Sequence, residues 1–372
     1  MAQVSSKLFL GQASNYRAKD ILYHTFALGS SKCSDMLKTK LAVRYGTTPN
    51  RVYLMNNGRS AIAAGFKQLL PEGGGVIING FTCYAVLQAI EAAGCQAIYA
   101  DINEKTLNFD IKTLAKALKK HPEARAILIQ NTLGITVNIK EIEVFAKKHG
   151  LFIAEDLAHC AGFKYQDGRE VGSVGSFSAL SFGKGKSLDS ITGGALIIND
   201  RKLKKFDFPN QRPRLSDTLR ARWYPLLAAV GRGFSKIGIQ KYWYGPLIRL
   251  RLIERAVDAK LDLSRRPAHW QARCILRQFE KIDQSGVMPI RTHRFVKNRT
   301  KLINLLDQNG YNFREVWYDV PVSPIRYYRQ VHFPEAECPV ATAVAAKIIN
   351  LPTYYPADKL ARAFSIIERY EA

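Results

Sequence analysis

Four short runs carry residues able to do chemistry. Glu155-Asp156-Leu157-Ala158-His159 follows an apolar run at 151–154. A carboxylate at the end of a buried strand is costly unless it meets a cation or a hydrogen-bond donor, and a protonated heterocyclic nitrogen would serve. The plainer reading is that Asp156 caps a turn and His159 is a satisfied core histidine. Next, Ser181-Phe182-Gly183-Lys184-Gly185-Lys186 sets two lysines in a Gly-rich turn. Either both are solvated, or one is an amine held near an electrophile with its pKa lowered. Asn57-Gly58-Arg59-Ser60-Ala61 opens a helix directly after a strand. Helix N-terminal amides beside a glycine make an anion site, although Asn-Gly pairs are also ordinary turns. Last, Phe81-Thr82-Cys83-Tyr84 follows another strand, where an aromatic either stacks on a planar cofactor or packs in the core.

The elements that must hold these runs alternate with little slack. β-rich segments at 52–55, 75–79, 96–100, 126–130, 151–155, 177–181 and 195–198 are separated by helical patterns at 59–70, 82–94, 111–120 and 139–149. Such alternation predicts an α/β fold with a three-layer, mostly parallel sheet covered on both faces. Ligands of these sheets bind beyond the strand C-termini, where all four runs lie. Further on, the spacing predicts one long helix over 291–308 and a final helix near 357–370, together a smaller C-terminal α/β domain. The expected division is therefore 1–200 for the large domain, 201–262 for a basic aromatic insertion and 263–372 for the small domain.

The chain has 372 residues, with 55 Lys+Arg against 31 Asp+Glu, a net charge of +24. With 47% hydrophobic and 23% charged residues, disordered and fibrous classes are excluded. Residues 201–300 hold 24 Lys+Arg and 7 Asp+Glu, so +17 of the charge sits there. Within 219–256, Arg220, Arg222, Arg232, Lys236, Lys241, Arg249, Arg251 and Arg255 alternate with Trp223, Tyr224, Phe234, Tyr242, Trp243 and Tyr244. Basic residues flanking aromatics and aliphatics at helical spacing predict peripheral contact with an anionic membrane. The plainer alternative packs these apolar residues against the protein or a dimer partner. No nucleic-acid motif accompanies the charge, which argues against a nucleic-acid partner. The six scattered cysteines form no CxxC pair, which argues against a disulfide framework, and no metal site is expected. The first ten residues lack a secretory pattern, so the expectation is a cytoplasmic protein.

Order and combination decide among the local readings. A phosphate loop, an aromatic, an Asp at a strand end and a Lys 30 residues later together describe a site for pyridoxal 5′-phosphate. That cofactor needs its phosphate anchored, its ring stacked, its ring nitrogen kept protonated and its aldehyde linked to a lysine.

With these runs in order, the sequence resembles the DegT/StrS family of pyridoxal phosphate-dependent sugar aminotransferases, which have the aspartate aminotransferase-like fold. Asn57-Gly58-Arg59-Ser60-Ala61 looks like the family's phosphate loop, with Arg59 in place of a small hydroxyl residue. The family places its lysine four residues after the Phe of Ser-Phe, with Gly-Gly seven and eight residues later. Phe182, Lys186, Gly193 and Gly194 keep that spacing, and Lys184 does not. The resemblance thus implies that Lys186 and Asp156 are catalytic, Asp156 partnering the ring nitrogen. It implies that His159 lies near the ring hydroxyl and that Ser181, with Gly58, Arg59 and Ser60, holds the phosphate. The family's stacking aromatic falls on Cys83, with Tyr84 beside it. Ser264-Arg265-Arg266 looks like the family's Asn-Tyr-Arg, whose Asn reaches the phosphate of the neighbouring subunit; Ser264 replaces that Asn and Arg266 keeps the arginine.

The implied activity moves an amino group from an amino acid, glutamate in the family, to a keto-sugar, nucleotide- or lipid-linked. The implied context is amino-sugar or surface polysaccharide biosynthesis, in a homodimer. Keeping the lysine argues against the related dehydratases, which carry histidine there. Two rival readings stand beside it: a pyridoxal phosphate enzyme acting on a non-sugar ketone or aldehyde, and a membrane-associated relative without catalysis.

Overall fold

The computed structural model describes residues 8–9, 16–236, 239–250, 252–253, 261–312, 316–353, 355 and 357–372. The seven expected strands all form and make one sheet. They are β1 (Val52–Met55), β2 (Gly74–Asn79), β3 (Cys95–Ala100), β4 (Ala124–Ile129), β5 (Phe152–Asp156), β6 (Phe177–Ser181) and β7 (Gly194–Ile198). Their order is β1-β7-β6-β5-β4-β2-β3. Only β7 runs against its neighbours, pairing antiparallel with β1 and β6; the other pairings are parallel.

Period-two alternation divides the sheet's side chains between two helical layers. Ile77, Ile127, Ile129, Leu180 and Ile197 join one core with helices α2 (Ser31–Tyr45), α5 (Ile111–Lys120), α6 (Ile139–His149) and α9 (His269–Ser285). Val76, Ile78, Leu128, Leu196 and Ile198 point the other way, against α3 (Gly58–Leu69) and α4 (Tyr84–Ala92). Helix α1 (Ala18–Phe26) and the pair α7 (Leu215–Lys236) and α8 (Gln240–Arg249) lie outside these layers, with α1 against α7.

Two expectations need correction. The segment 291–308 is not one helix: strand β8 (Arg291–Phe295) pairs antiparallel with β9 (Ile348–Pro352), and helix α10 (Arg299–Gln308) follows. The break is at Asn298, whose left-handed backbone and side chain, accepting the Lys301 N–H, cap α10. The boundary at 263 also falls too early, because Ala272, Ile275 and Phe279 of α9 belong to the large domain's core. The small domain's own core is formed by α10, β9 and the final helix α12 (Ala357–Glu368), with Leu302, Ile349, Leu360 and Ile367 buried in it. Helix α11 (Pro339–Lys347) packs at the junction, in a cluster with Phe81 and Tyr318. Of the basic stretch, 237–238, 251 and 254–256 lie outside the described residues, Arg251 and Arg255 included.

Candidate active site

Strand β5 ends in two adjacent carboxylates that face opposite ways. Glu155 is fully buried and accepts hydrogen bonds from the Tyr165 hydroxyl (2.6 Å) and from the N–H groups of Gly172 (2.7 Å), Val174 (2.8 Å) and Gly175 (2.6 Å). Burial pushes its pKa up and these donors oppose the shift. Glu155 is therefore the pin that fixes the loop between β5 and β6. Replacing it with alanine would strand the buried N–H groups of Gly172 and Gly175 and the half-buried one of Val174, and Glu155→Ala is expected to cost about 3–5 kcal/mol of stability. The readout is a lower urea midpoint at unchanged slope.

Asp156 differs. It is buried but accepts one backbone N–H, from Ala158 at 3.0 Å, and burial pushes its pKa up to about 6. The turn after it carries His159, whose Nδ1 accepts the Leu133 N–H (3.3 Å). A ring nitrogen that accepts leaves the proton of neutral imidazole on the other one. That nitrogen, Nε2, lies 3.1 Å from Lys186 Nζ. Burial lowers the Lys186 pKa and the Arg291 charge adds to this, while Cys83, Asp156 and Asp189 act the other way. Burial, Lys186 and Arg291 likewise hold His159 well below its usual value. Lys184 points elsewhere, with its ammonium 4.4 Å from the Tyr224 ring of α7.

At the end of β1, the Asn57 side chain accepts the Ser60 N–H (2.9 Å) and starts α3. A Cβ on Gly58 would sit 2.7 Å from Ser181 Cβ, so glycine is what lets the helix start lie against the end of β6. The first N–H groups of a helix have no intrahelical partner, and here they adjoin the Ser181 hydroxyl. The side chains of Arg59 and Ser60 turn to structural partners, Gln88 Oε1 (2.8 Å) and the Asp262 carbonyl (2.8 Å).

Cys83 sits in the two-residue strand Thr82–Cys83, which pairs with Val322–Ser323 of the small domain. Tyr84 stacks on Tyr327 (4.5 Å, 13°). The aromatic face near Lys186 is instead Trp317, which sequence reasoning missed. Its ring stacks on His159 (5.4 Å, 22°), with Lys186 Nζ 5.1 Å and Arg291 Cζ 4.4 Å from its centroid. Arg291, only 1% exposed, and Tyr318, whose hydroxyl is 3.5 Å from His159 Nδ1, were missed as well. Their only trace in the sequence is an aromatic pair outside any periodic run. Ser264 bonds Asp262 (2.7 Å) and Gln211 (3.3 Å), and Arg266 bonds the Pro267 carbonyl (3.1 Å). Among the described residues neither hydrogen-bonds Asp156, His159, Ser181 or Lys186.

These groups suit pyridoxal phosphate. Burial drives the Asp156 carboxyl toward its neutral form, and a cationic N–H partner would relieve that cost. The helix start beside Ser181 suits a phosphate, and the Lys186 amine, its pKa lowered by burial, suits an aldehyde.

Known proteins are similar to this chain in sequence and in fold. The DegT/DnrJ/EryC1/StrS aminotransferase family matches residues 36–207, the segment that holds Gly58, Cys83, Asp156, His159, Ser181 and Lys186. GDP-perosamine synthase of Caulobacter vibrioides is 25% identical over 311 residues, 80% of this chain and 79% of that one. The spore coat polysaccharide biosynthesis protein SpsC of Bacillus subtilis is 34% identical over 148 residues, 39% of this chain, and the match spans 37% of SpsC. A solved DegT DnrJ EryC1 StrS aminotransferase from Brucella abortus shares the fold at a TM-score of 0.65 and 18% identity, over 94% of this chain and 95% of that one. Over residues 36–207, a little under half of its length, the chain matches the DegT/DnrJ/EryC1/StrS aminotransferase family.

Proposed function

We propose that this protein is a pyridoxal 5′-phosphate-dependent aminotransferase that moves an amino group from glutamate to a nucleotide- or lipid-linked keto-sugar, in amino-sugar or surface polysaccharide biosynthesis. The single observation that carries the chemistry is the Lys186 amine, 3.1 Å from His159 Nε2 beside the buried Asp156, with its pKa lowered by burial. The names of the similar proteins, a GDP-perosamine synthase and a spore coat polysaccharide protein, support the sugar acceptor.

In this reading Ser181 Oγ and the first N–H groups of α3, at Gly58 and Arg59, bind the cofactor phosphate. The Asp156 carboxylate holds the proton of the ring nitrogen. Bound pyridoxal phosphate supplies an electron sink for the bond broken at the donor's Cα. Lys186 would hold the cofactor between turnovers, and its Nζ, when free, would take the proton from the donor's Cα. His159 orients Nζ through Nε2, and the Arg291 charge helps keep that amine neutral enough to act as a base. Trp317 walls the site on the small-domain side and excludes water. The molecule works as a homodimer in the cytoplasm, with peripheral contact to an anionic membrane through the basic helices.

A panel of keto-acceptors, scored by conversion of glutamate to 2-oxoglutarate, tests the substrate class. Turnover is expected with keto-sugars carried on a nucleotide or lipid. Turnover confined to non-sugar ketones or aldehydes would reject the sugar reading while leaving the cofactor chemistry in place.

A further inference from the structure

Helix α7 is packed the wrong way round for a helix on an isolated soluble domain. Its inward positions are Ala221, Pro225, Ala228 and Gly231, all buried and all small or compact. A Cβ on Gly231 would run into the Tyr244 ring at 2.5 Å, so α8 lies directly on that small-residue face. The Trp243 N–H and the Tyr244 hydroxyl reach back to the carbonyls of Leu227 (3.0 Å) and Ala228 (3.4 Å). The large apolar residues go outward instead. Leu215, Leu219, Trp223, Leu226 and Val230 recur at steps of four, four, three and four, one stripe of an α-helix, and all are exposed, Leu215 by 73% and Trp223 by 42%.

The neighbouring α1 exposes Leu22 and Phe26 one turn apart, and Leu28 just after it. Arg222 ties the two helices by donating to the carbonyls of Thr25 (3.3 Å) and Ala27 (3.2 Å). An apolar stripe of this length is unusual on a free surface and marks a contact site.

The charge around it selects the occupant. Residues 211–250 contain eight Lys+Arg and one Asp. A second copy docking stripe to stripe would bring two such basic borders together, whereas an anionic bilayer neutralises them. Among the described residues no helix is long and apolar enough to cross a membrane, so the fitting geometry is a helix lying in the interface plane.

We propose that the outward face of α7, centred on Leu219, Trp223 and Leu226, seats the protein on the surface of an anionic phospholipid bilayer. The proposal rests on the peripheral-membrane reading above and gives it a face. It also has a consequence for the site: Tyr224, on the same helix, holds Lys184 two residues from Lys186, so the seated helix touches the active-site loop directly.

The test is co-sedimentation of the cofactor-loaded protein with phosphatidylcholine vesicles, with and without phosphatidylglycerol, for the wild type and the double variant Leu219→Glu/Trp223→Glu. The wild type is expected to pellet with the anionic vesicles and to be released by high salt. The variant, with unchanged circular dichroism and cofactor absorption, is expected to bind at least about 10-fold more weakly. A wild type that ignores anionic vesicles overturns the proposal together with the membrane reading. A variant that pellets like the wild type overturns the assignment of this face and leaves membrane contact to another surface. Light scattering adds a third outcome: if the wild type is a dimer and the variant a monomer, a second copy covers the stripe and the bilayer proposal fails.

Discussion

Lys186→Ala is expected to abolish turnover, by on the order of 10⁵-fold, because one substitution removes both the covalent holder of the cofactor and the base at the donor's Cα. The visible absorption of the lysine-linked cofactor should go with it. Lys184→Ala is the informative control. Both lysines stand in one Gly-rich turn, yet the Lys184 ammonium lies over the Tyr224 ring while Lys186 meets His159. Lys184→Ala should therefore keep turnover within about 10-fold, a cation–π contact between half-buried residues being worth about 1 kcal/mol. Small amines such as methylamine, added to the Lys186→Ala protein, should restore part of the proton transfer by occupying the space left by the side chain. A Lys186→Ala protein that keeps its absorption, or a Lys184→Ala protein that loses it, would exchange the roles of the two residues.

The choice between those lysines rests on the family resemblance, because only Lys186 keeps the family's spacing from Phe182 and to Gly193-Gly194. The sheet was legible for a simpler reason: each strand is a short β-rich run ended by Gly or polar residues, and burial on both faces follows from that. Strand β8 was not. Arg291-Thr292-His293-Arg294-Phe295 has no apolar alternation, and it becomes a strand by pairing with β9 more than fifty residues later, a contact invisible to local pattern. The same distance hid Trp317 and Arg291, which reach Lys186 and His159 only when the small domain folds against the large one. Glu155 and Asp156 could not be ranked from sequence either. One is saturated by four donors and the other accepts one, and those four donors lie ten to twenty residues downstream. For α7 the basic and apolar content was plain, but not which side faced out. An inward face of Ala, Pro and Gly offers no hydrophobic signal, so only the packed helix shows that the large residues are the outer ones.

Asp156→Asn is the second large effect, about 10³-fold in kcat, because the amide is isosteric but cannot hold a proton on the ring nitrogen by charge. Its pH dependence separates this role from a structural one. In the cofactor-free protein burial pushes the Asp156 pKa up to about 6, above the ordinary carboxylate range. The native state thus holds this proton more tightly than the unfolded chain does. By linkage, Asp156 makes the cofactor-free protein lose stability as pH rises from about 4 to 6, and the asparagine variant lacks that loss. Cofactor binding runs the other way. Below pH 6 the carboxyl is largely neutral and pairs weakly with a cationic ring nitrogen; above it the carboxylate is charged and pairs strongly. The wild type's advantage over Asp156→Asn in cofactor affinity should therefore widen as pH rises through 6, read by titrating the cofactor into each protein across pH 5–8. A constant ratio across that range would remove the ion pair from the mechanism and leave Asp156 as a turn-capping residue that holds the Ala158 N–H.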